Sequence, residues 1–155
     1  MKMAELFNVE GHVTFVTGAA SGLGLAFAEV MAANGSKVVL ADINEQELDK
    51  QVARLKAAGG AVESAVVDIT DSDALRAAID GAAERHGRLD VLFANAGISG
   101  GRGALISPEG AIDQFDLEHY RTLIDVNLTA TVMTIRFAVP HMKRRKSGSI
   151  VVTAR

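Results

Sequence analysis

Three glycines, Gly18, Gly22 and Gly24, stand between an apolar, β-branched run and the start of an amphipathic segment. That placement suits the binding of a dinucleotide's pyrophosphate. A glycine at the end of a strand permits a tight turn, one at the start of a helix lets backbone approach a phosphate, and a third lets helix and strand pack closely. The free N–H groups of the first helical turn, aided by the helix dipole, then bind the anion without a lysine. The spacing is Gly-x3-Gly-x-Gly, which differs from the usual Gly-x-Gly-x2-Gly fingerprint. Within Thr17-Gly18-Ala19-Ala20-Ser21-Gly22-Leu23-Gly24, the candidate cofactor contacts are Gly18, Ser21, Gly22, Leu23 and Gly24.

Asp42 closes the next apolar run. A carboxylate there can accept hydrogen bonds from the ribose hydroxyls of an adenosine half. Asn44 is the better helix cap, which leaves Asp42 free for that role. A 2′-phosphate at the same place would be repelled by about 4 kcal/mol per unit charge at 4 Å and an effective dielectric near 20. The expected cofactor is therefore NAD in preference to NADP.

Two periodicities alternate in the elements that must position these residues. Runs over His12–Thr17, Lys37–Ala41, Ala61–Val67, Leu89–Ala94 and Gly148–Thr153 suit strands. Between them, Leu23, Phe27, Val30 and Met31 predict one helical face, Leu48, Val52 and Leu55 a second, and Leu75, Ile79 and Ala82 a third. Asn44 begins the second helix, Thr70 or Asp71 the third. After strand four comes a glycine-rich stretch, Gly97 to Gln114, in which Ser99 to Ser107 is expected to border a substrate site. A long helix, Leu117 to Lys143, follows, with Leu128, Val132, Ile135 and Val139 on its buried face and a kink at Pro140. Strands apolar on both faces, alternating with helices, imply a parallel sheet covered on both sides. The expected architecture is one α/β domain over 1–155, a doubly wound sheet of strand order 3-2-1-4-5 with its switch point between strands one and four.

With these motifs in place, the chain resembles a classical short-chain dehydrogenase/reductase. The resemblance rests on Thr17-Gly-x3-Gly-x-Gly, Asp42, Asp68-Ile69 after strand three, Ala94-Asn95-Ala96-Gly97 after strand four, and Asn127 in the long helix. It implies a Rossmann-type fold that binds NAD(P) and an oxidoreductase that moves hydride between nicotinamide and an alcohol or ketone, often as a homo-oligomer. It further implies that Asp68 contacts the adenine and Ile69 lines its pocket. Asn95, Ala96 and Gly97 would flank the cofactor, and Asn127 would be the catalytic asparagine. On the residues alone, Asp68 is equally a residue near a helix start and Asn127 equally an asparagine satisfied by backbone.

The resemblance stops short of the chemistry. The family's serine after strand five and its Tyr-x3-Lys motif have no counterpart, because the only tyrosine is Tyr120 and Ile124 stands four places on. The sheet is accordingly expected to be truncated after strand five, leaving the cofactor-binding portion. A non-catalytic dinucleotide-binding module and an inert fragment are the alternatives.

Composition narrows the remaining classes. The chain is 48% hydrophobic and 23% charged with net charge −3, typical of a globular protein and too mild a field to suggest nucleic acid. With no cysteine, thiolate catalysis and cysteine–zinc sites are excluded. His12, His86, His119 and His141 lack metal-ligand spacing. Lys143-Arg144-Arg145-Lys146 reads as the basic end of a helix. Asp125, Asn127 and Arg136 argue against a membrane span, and a cytoplasmic location is expected.

Overall fold

The computed structural model describes residues 8–99 and 116–154. Most of the glycine-rich stretch, including the expected substrate border at 100–107, lies outside the described residues. The strands are β1 (Val13–Thr17), β2 (Lys37–Asp42), β3 (Val62–Val66), β4 (Val91–Ala94) and β5 (Ser149–Val152). All pairings are parallel and the order is β3-β2-β1-β4-β5. The switch point therefore falls between β1 and β4, where Thr14 faces Val38 on one side and Val91 on the other.

Side-chain alternation explains why the central strands are mainly apolar on both faces. Val38 and Leu40 face one way, with Val16, and are covered by α1 (Gly22–Ala33) and α2 (Glu45–Ala57). Val39 and Ala41 face the other way, with Val13 and Phe15, beneath α3 (Ser72–His86) and α5 (Ala130–Arg145). Burying both faces of a strand requires this pattern. Local chemistry sets the helix starts. Asn44 Oδ1 accepts from Glu47 N at 3.1 Å. Asp71, not Thr70, caps α3, accepting from Asp73 N and Ala74 N. Gly87, at φ 69°, ends it.

Two helices bury only part of the expected face: Met31 is buried in the first, and Ile135 packs against the core in the long one. In α1 the buried residues are Gly24, Ala28, Met31 and Ala32, whereas Leu23 and Val30 are 53% and 62% exposed. Small side chains every fourth residue let this helix lie close to the sheet, and the larger apolar groups are turned aside. Phe27 is half-buried and stacks on Phe93, with ring centroids 4.8 Å apart. In the long helix, α4 (Leu117–Ile124) leads through a π-helical segment, Asp125–Thr129, into α5. The face buried against β4 and α3 is Ala130, Thr134, Phe137, Ala138, His141 and Met142, while Leu128 and Val132 are exposed. A π-turn inserts an extra residue, so a 3.6-residue pattern carried across it slips. The buried Thr134 hydroxyl is satisfied by the Ala130 carbonyl at 2.7 Å.

Pro140 does not end α5, which runs on to Arg145. Both Pro140 and Arg136, the residue whose carbonyl loses a donor, lie on the exposed side. Over 117–145 the helix is long and apolar enough to cross a membrane, with a window of mean hydropathy 1.3. Only its α5 part joins the core, placing Phe137, Ala138 and Met142 in the sheet's cluster, while α4 and the π-helical segment bury no residue.

The basic end of α5 turns back on the domain. Arg144 Nη2 bonds His141 Nδ1 at 2.6 Å, and His141 Nε2 pairs with Asp80 on α3 at 2.5 Å. Arg145 reaches toward Asp90 at 3.6 Å. Lys146 terminates the helix with φ 56°, the one non-glycine residue with positive φ among the described residues. An L-residue there costs about 1–2 kcal/mol, offset in part by glycine's greater unfolded-state entropy. Lys146→Gly is expected to stabilise the domain by about 0.5–1 kcal/mol. Thermal melts should show a rise of about 1–4 °C.

Candidate functional site

The loop from β1 to α1 depends on each glycine for a separate reason. Gly18 has φ +66°, and a Cβ there would sit 2.8 Å from the Ala96 Cα. Gly24 has no room above it: a Cβ would lie 2.1 Å from the Gly18 carbonyl oxygen and 2.6 Å from Asn95 Nδ2. Gly22, at φ +57°, is the reverse case, because a Cβ would meet nothing within 4 Å. Its backbone faces open space.

The neighbouring strands hold this loop in place. Thr17 Oγ1 accepts from the backbone N–H groups of Asn95 and Ala96 at 3.0 and 3.1 Å. Asn95 Nδ2 donates to the Thr17 and Gly18 carbonyls at 3.1 and 3.4 Å. On the other side Ala19 N–H donates to the Ala41 carbonyl at 3.1 Å. Ser21 is the N-cap of α1, yet its side chain makes no cap hydrogen bond, and no acidic residue occupies the first turn. The N–H groups there lack intrahelical acceptors, and the positive end of the dipole is not neutralised locally. Such a terminus suits an anion.

Gly18, Ser21, Gly22, Asp42, Asp68, Ile69, Asn95, Ala96 and Gly97 line one cavity of about 590 Å³ at the C-terminal ends of the strands. Leu23 and Gly24 do not line it: Leu23 points toward solvent and Gly24 lies beneath the loop. Thr17 was legible as the head of the loop motif, but the role of its hydroxyl in joining β1 to β4 was not. The wall also contains Ile43, Val67, Thr70, Ile98, Thr122 and Val126. Ile43 directly follows Asp42, and the rule that ligands bind at strand C-termini in open α/β sheets could have found it. Thr122 and Val126 come from the long helix, a placement with no local sequence signal.

Asp42 is not free in the sense expected. Asn44 does cap α2, but Asp42 Oδ2 accepts from Ala20 N–H at 3.0 Å and Oδ1 from Asn44 N–H at 3.1 Å. A carboxylate has about four lone-pair sites, so each oxygen keeps one for a ligand hydroxyl. Asp68 Oδ1 accepts from the Thr70 N–H and hydroxyl at 2.9 and 2.7 Å. Asn127 lies in the π-helical segment and stands behind the cavity wall. Its Oδ1 accepts from Ile98 N–H and its Nδ2 donates to the Ile98 carbonyl, both at 2.8 Å. The amide thus anchors the segment after β4 to the long helix, matching the reading of an asparagine satisfied by backbone.

A dinucleotide fits what these residues offer. There is open space over Gly22, a helix N-terminus without a neutralising carboxylate, spare acceptor capacity on Asp42, and an apolar wall at Ile43 and Ile69. Comparison with known proteins bears on the same region. The short chain dehydrogenase family model matches residues 12–154. The chain belongs to this family.

Within the family, it is 34% identical over 144 residues to the 3-oxoacyl-(acyl-carrier-protein) reductase FabG of Thermotoga maritima, covering 93% of this chain and 55% of that protein. It is 39% identical over 141 residues to the cis-4-hydroxycyclohexanecarboxylate dehydrogenase of Sinomonas cyclohexanicum, covering 90% and 53%. Among solved structures, a short-chain dehydrogenase/reductase from Burkholderia phymatum in complex with NAD superposes with TM-score 0.86 at 33% identity, covering 96% of this chain and 50% of that one. The chain spans about half the length of the curated relatives it matches.

Proposed function

We propose that this chain binds NAD(H) as the cofactor-binding portion of an oxidoreductase acting on an alcohol/ketone couple. The observation that carries the reading is Asp42, whose carboxylate lines the cavity at the end of β2 beside the phosphate loop. Among the described lining residues there is no lysine or arginine to balance a 2′-phosphate. The loop from Gly18 to Gly22 would hold the pyrophosphate, Asp42 the adenosine ribose, and Ile43 and Ile69 the base. Bound nicotinamide would supply the hydride chemistry, while Asn127 would keep the Ile98 segment in place beside it. The substrate class is supported by the two relatives above, a 3-oxoacyl reductase and a hydroxycyclohexanecarboxylate dehydrogenase. Both names describe a secondary alcohol or its ketone.

The chain's single tyrosine, Tyr120, is followed four places on by Ile124. With no Tyr-x3-Lys motif in these 155 residues, the second reading is a dinucleotide-binding module without catalysis of its own. Calorimetric titration tests the shared part. NADH should bind more tightly than NADPH by about two to three orders of magnitude, from the repulsion at Asp42. Equal or reversed affinities would remove the assignment. The isolated chain should also show no NADH production from a panel of secondary alcohols. Turnover that survives repurification would eliminate the second reading.

A further inference from the structure

Asp42 joins three things that are usually considered separately. Its backbone carbonyl accepts from Val67 N–H at 2.9 Å, fixing the exit of β3. One carboxylate oxygen takes the amide of Ala20 in the phosphate loop, the other that of Asn44 at the start of α2. The same side chain faces the cavity. Ala20 is 4% exposed, and its N–H has this carboxylate as its hydrogen-bond partner. Buried backbone N–H groups are almost always paired. The preceding amide, Ala19, is held independently by the Ala41 carbonyl. Loss of Asp42 would therefore release the loop between two fixed points, Ala19 and the start of α1, a stretch ending at Gly22 with its positive φ.

We propose that Asp42 is a positioning residue for the phosphate loop as well as the acceptor for the ribose, so that one carboxylate sets both the loop's shape and the choice of cofactor. The cofactor half of this statement rests on the proposed function; the loop half does not. Removing Asp42 would then weaken NADH binding without a gain for NADPH, because loosening the loop offsets the relief of the 2′-phosphate repulsion, and would not convert an NAD site into an NADP site. Asparagine cannot replace it fully, because both carboxylate oxygens face N–H donors and an amide presents an acceptor to only one of them.

Amide hydrogen exchange followed by NMR on the cofactor-free chain tests the loop half directly. In Asp42→Ala, exchange at Ala20 should rise at least tenfold relative to wild type, while Ala19 and the amides of β1 stay within about twofold. Asp42→Asn should fall between wild type and the alanine variant, and it serves as the test should the alanine variant fail to fold. Unchanged Ala20 exchange in a folded variant would overturn the proposal. Titration then reads the cofactor half: NADH affinity should drop more than tenfold, and NADPH affinity should stay level or drop. A gain in NADPH affinity that mirrors the NADH loss would reduce Asp42 to a ribose reader and sink the coupling. If wild type binds neither nucleotide, the proposed function fails, and the exchange result still decides the loop half.

Discussion

Gly24→Ala is expected to destabilise the domain by about 2–4 kcal/mol, a large share of the roughly 5–15 kcal/mol that holds a domain folded. The added methyl would lie 2.1 Å from the Gly18 carbonyl oxygen and 2.6 Å from Asn95 Nδ2. The first of these is backbone, so the obstacle cannot be relieved by a rotamer change. Either α1 moves off the sheet, loosening Ala28 and Ala32, or the loop moves and breaks the Asn95 bonds to Thr17 and Gly18. Overpacking costs about 1–3 kcal/mol, and each lost hydrogen bond adds about 0.5–1.5. Alanine's better helix propensity returns up to about 1. Gly22→Ala provides the contrast. Its Cβ meets no protein atom, so stability should fall by only about 1–2 kcal/mol for the positive φ, while the methyl intrudes on the cavity and cofactor binding suffers. Urea denaturation and NADH titration of the two variants should separate fold from binding. A Gly24→Ala protein as stable as wild type would show that the helix does not need this close approach.

The contrast between these glycines also indicates what the sequence could disclose. Strands and their order were legible because parallel strands buried on both faces are mainly apolar, and few connections are then possible. The phosphate loop was legible because glycine between strand and helix has a steric meaning. The seam of α1 was not. Gly24, Ala28 and Ala32 make it by being small, and a reading based on hydrophobic size selected Leu23 and Val30, which are turned to solvent. Likewise, the face of the long helix depends on a π-helical segment that no periodicity announces. In the candidate site, the residue types were readable but their partners were not. Asp42 and Ala20 are 22 positions apart, and Asn127 and Ile98 are 29. Both bonds join side chain to backbone, and a backbone partner leaves no mark on the amino-acid types.

Asp90 carries the other large effect, at the opposite end of the sheet from the cavity. It is 5% exposed, and Arg88 grips it with two hydrogen bonds, Nε to Oδ2 at 2.6 Å and Nη2 to Oδ1 at 2.7 Å. Oδ2 also accepts from Val13 N–H at 2.8 Å, tying the start of β1 to the approach to β4. Burial pushes this carboxyl's pKa up, but the Arg88 guanidinium, the Val13 N–H and the more distant Arg145 outweigh it and hold the group below its ordinary value. A folded-state pKa below the unfolded one stabilises the fold at pH values above the unfolded pKa, about 3.9. That contribution disappears as pH falls through the lower, folded value. Asp90→Ala should therefore cost about 3 kcal/mol at neutral pH. The cost falls at the low end of the range for broken buried pairs, because Arg88 keeps a third of its side chain in water. Asp90→Asn retains an acceptor for Val13 and loses the charge, so it should cost less and flatten the acid limb of stability against pH. Urea denaturation of wild type and Asp90→Asn between neutral pH and about 3 compares the two slopes. Parallel curves would mean that the ionised carboxylate contributes nothing to holding β1, β4 and the end of α5 together. A shallower acid limb in the asparagine variant would assign that part of the acid sensitivity to Asp90.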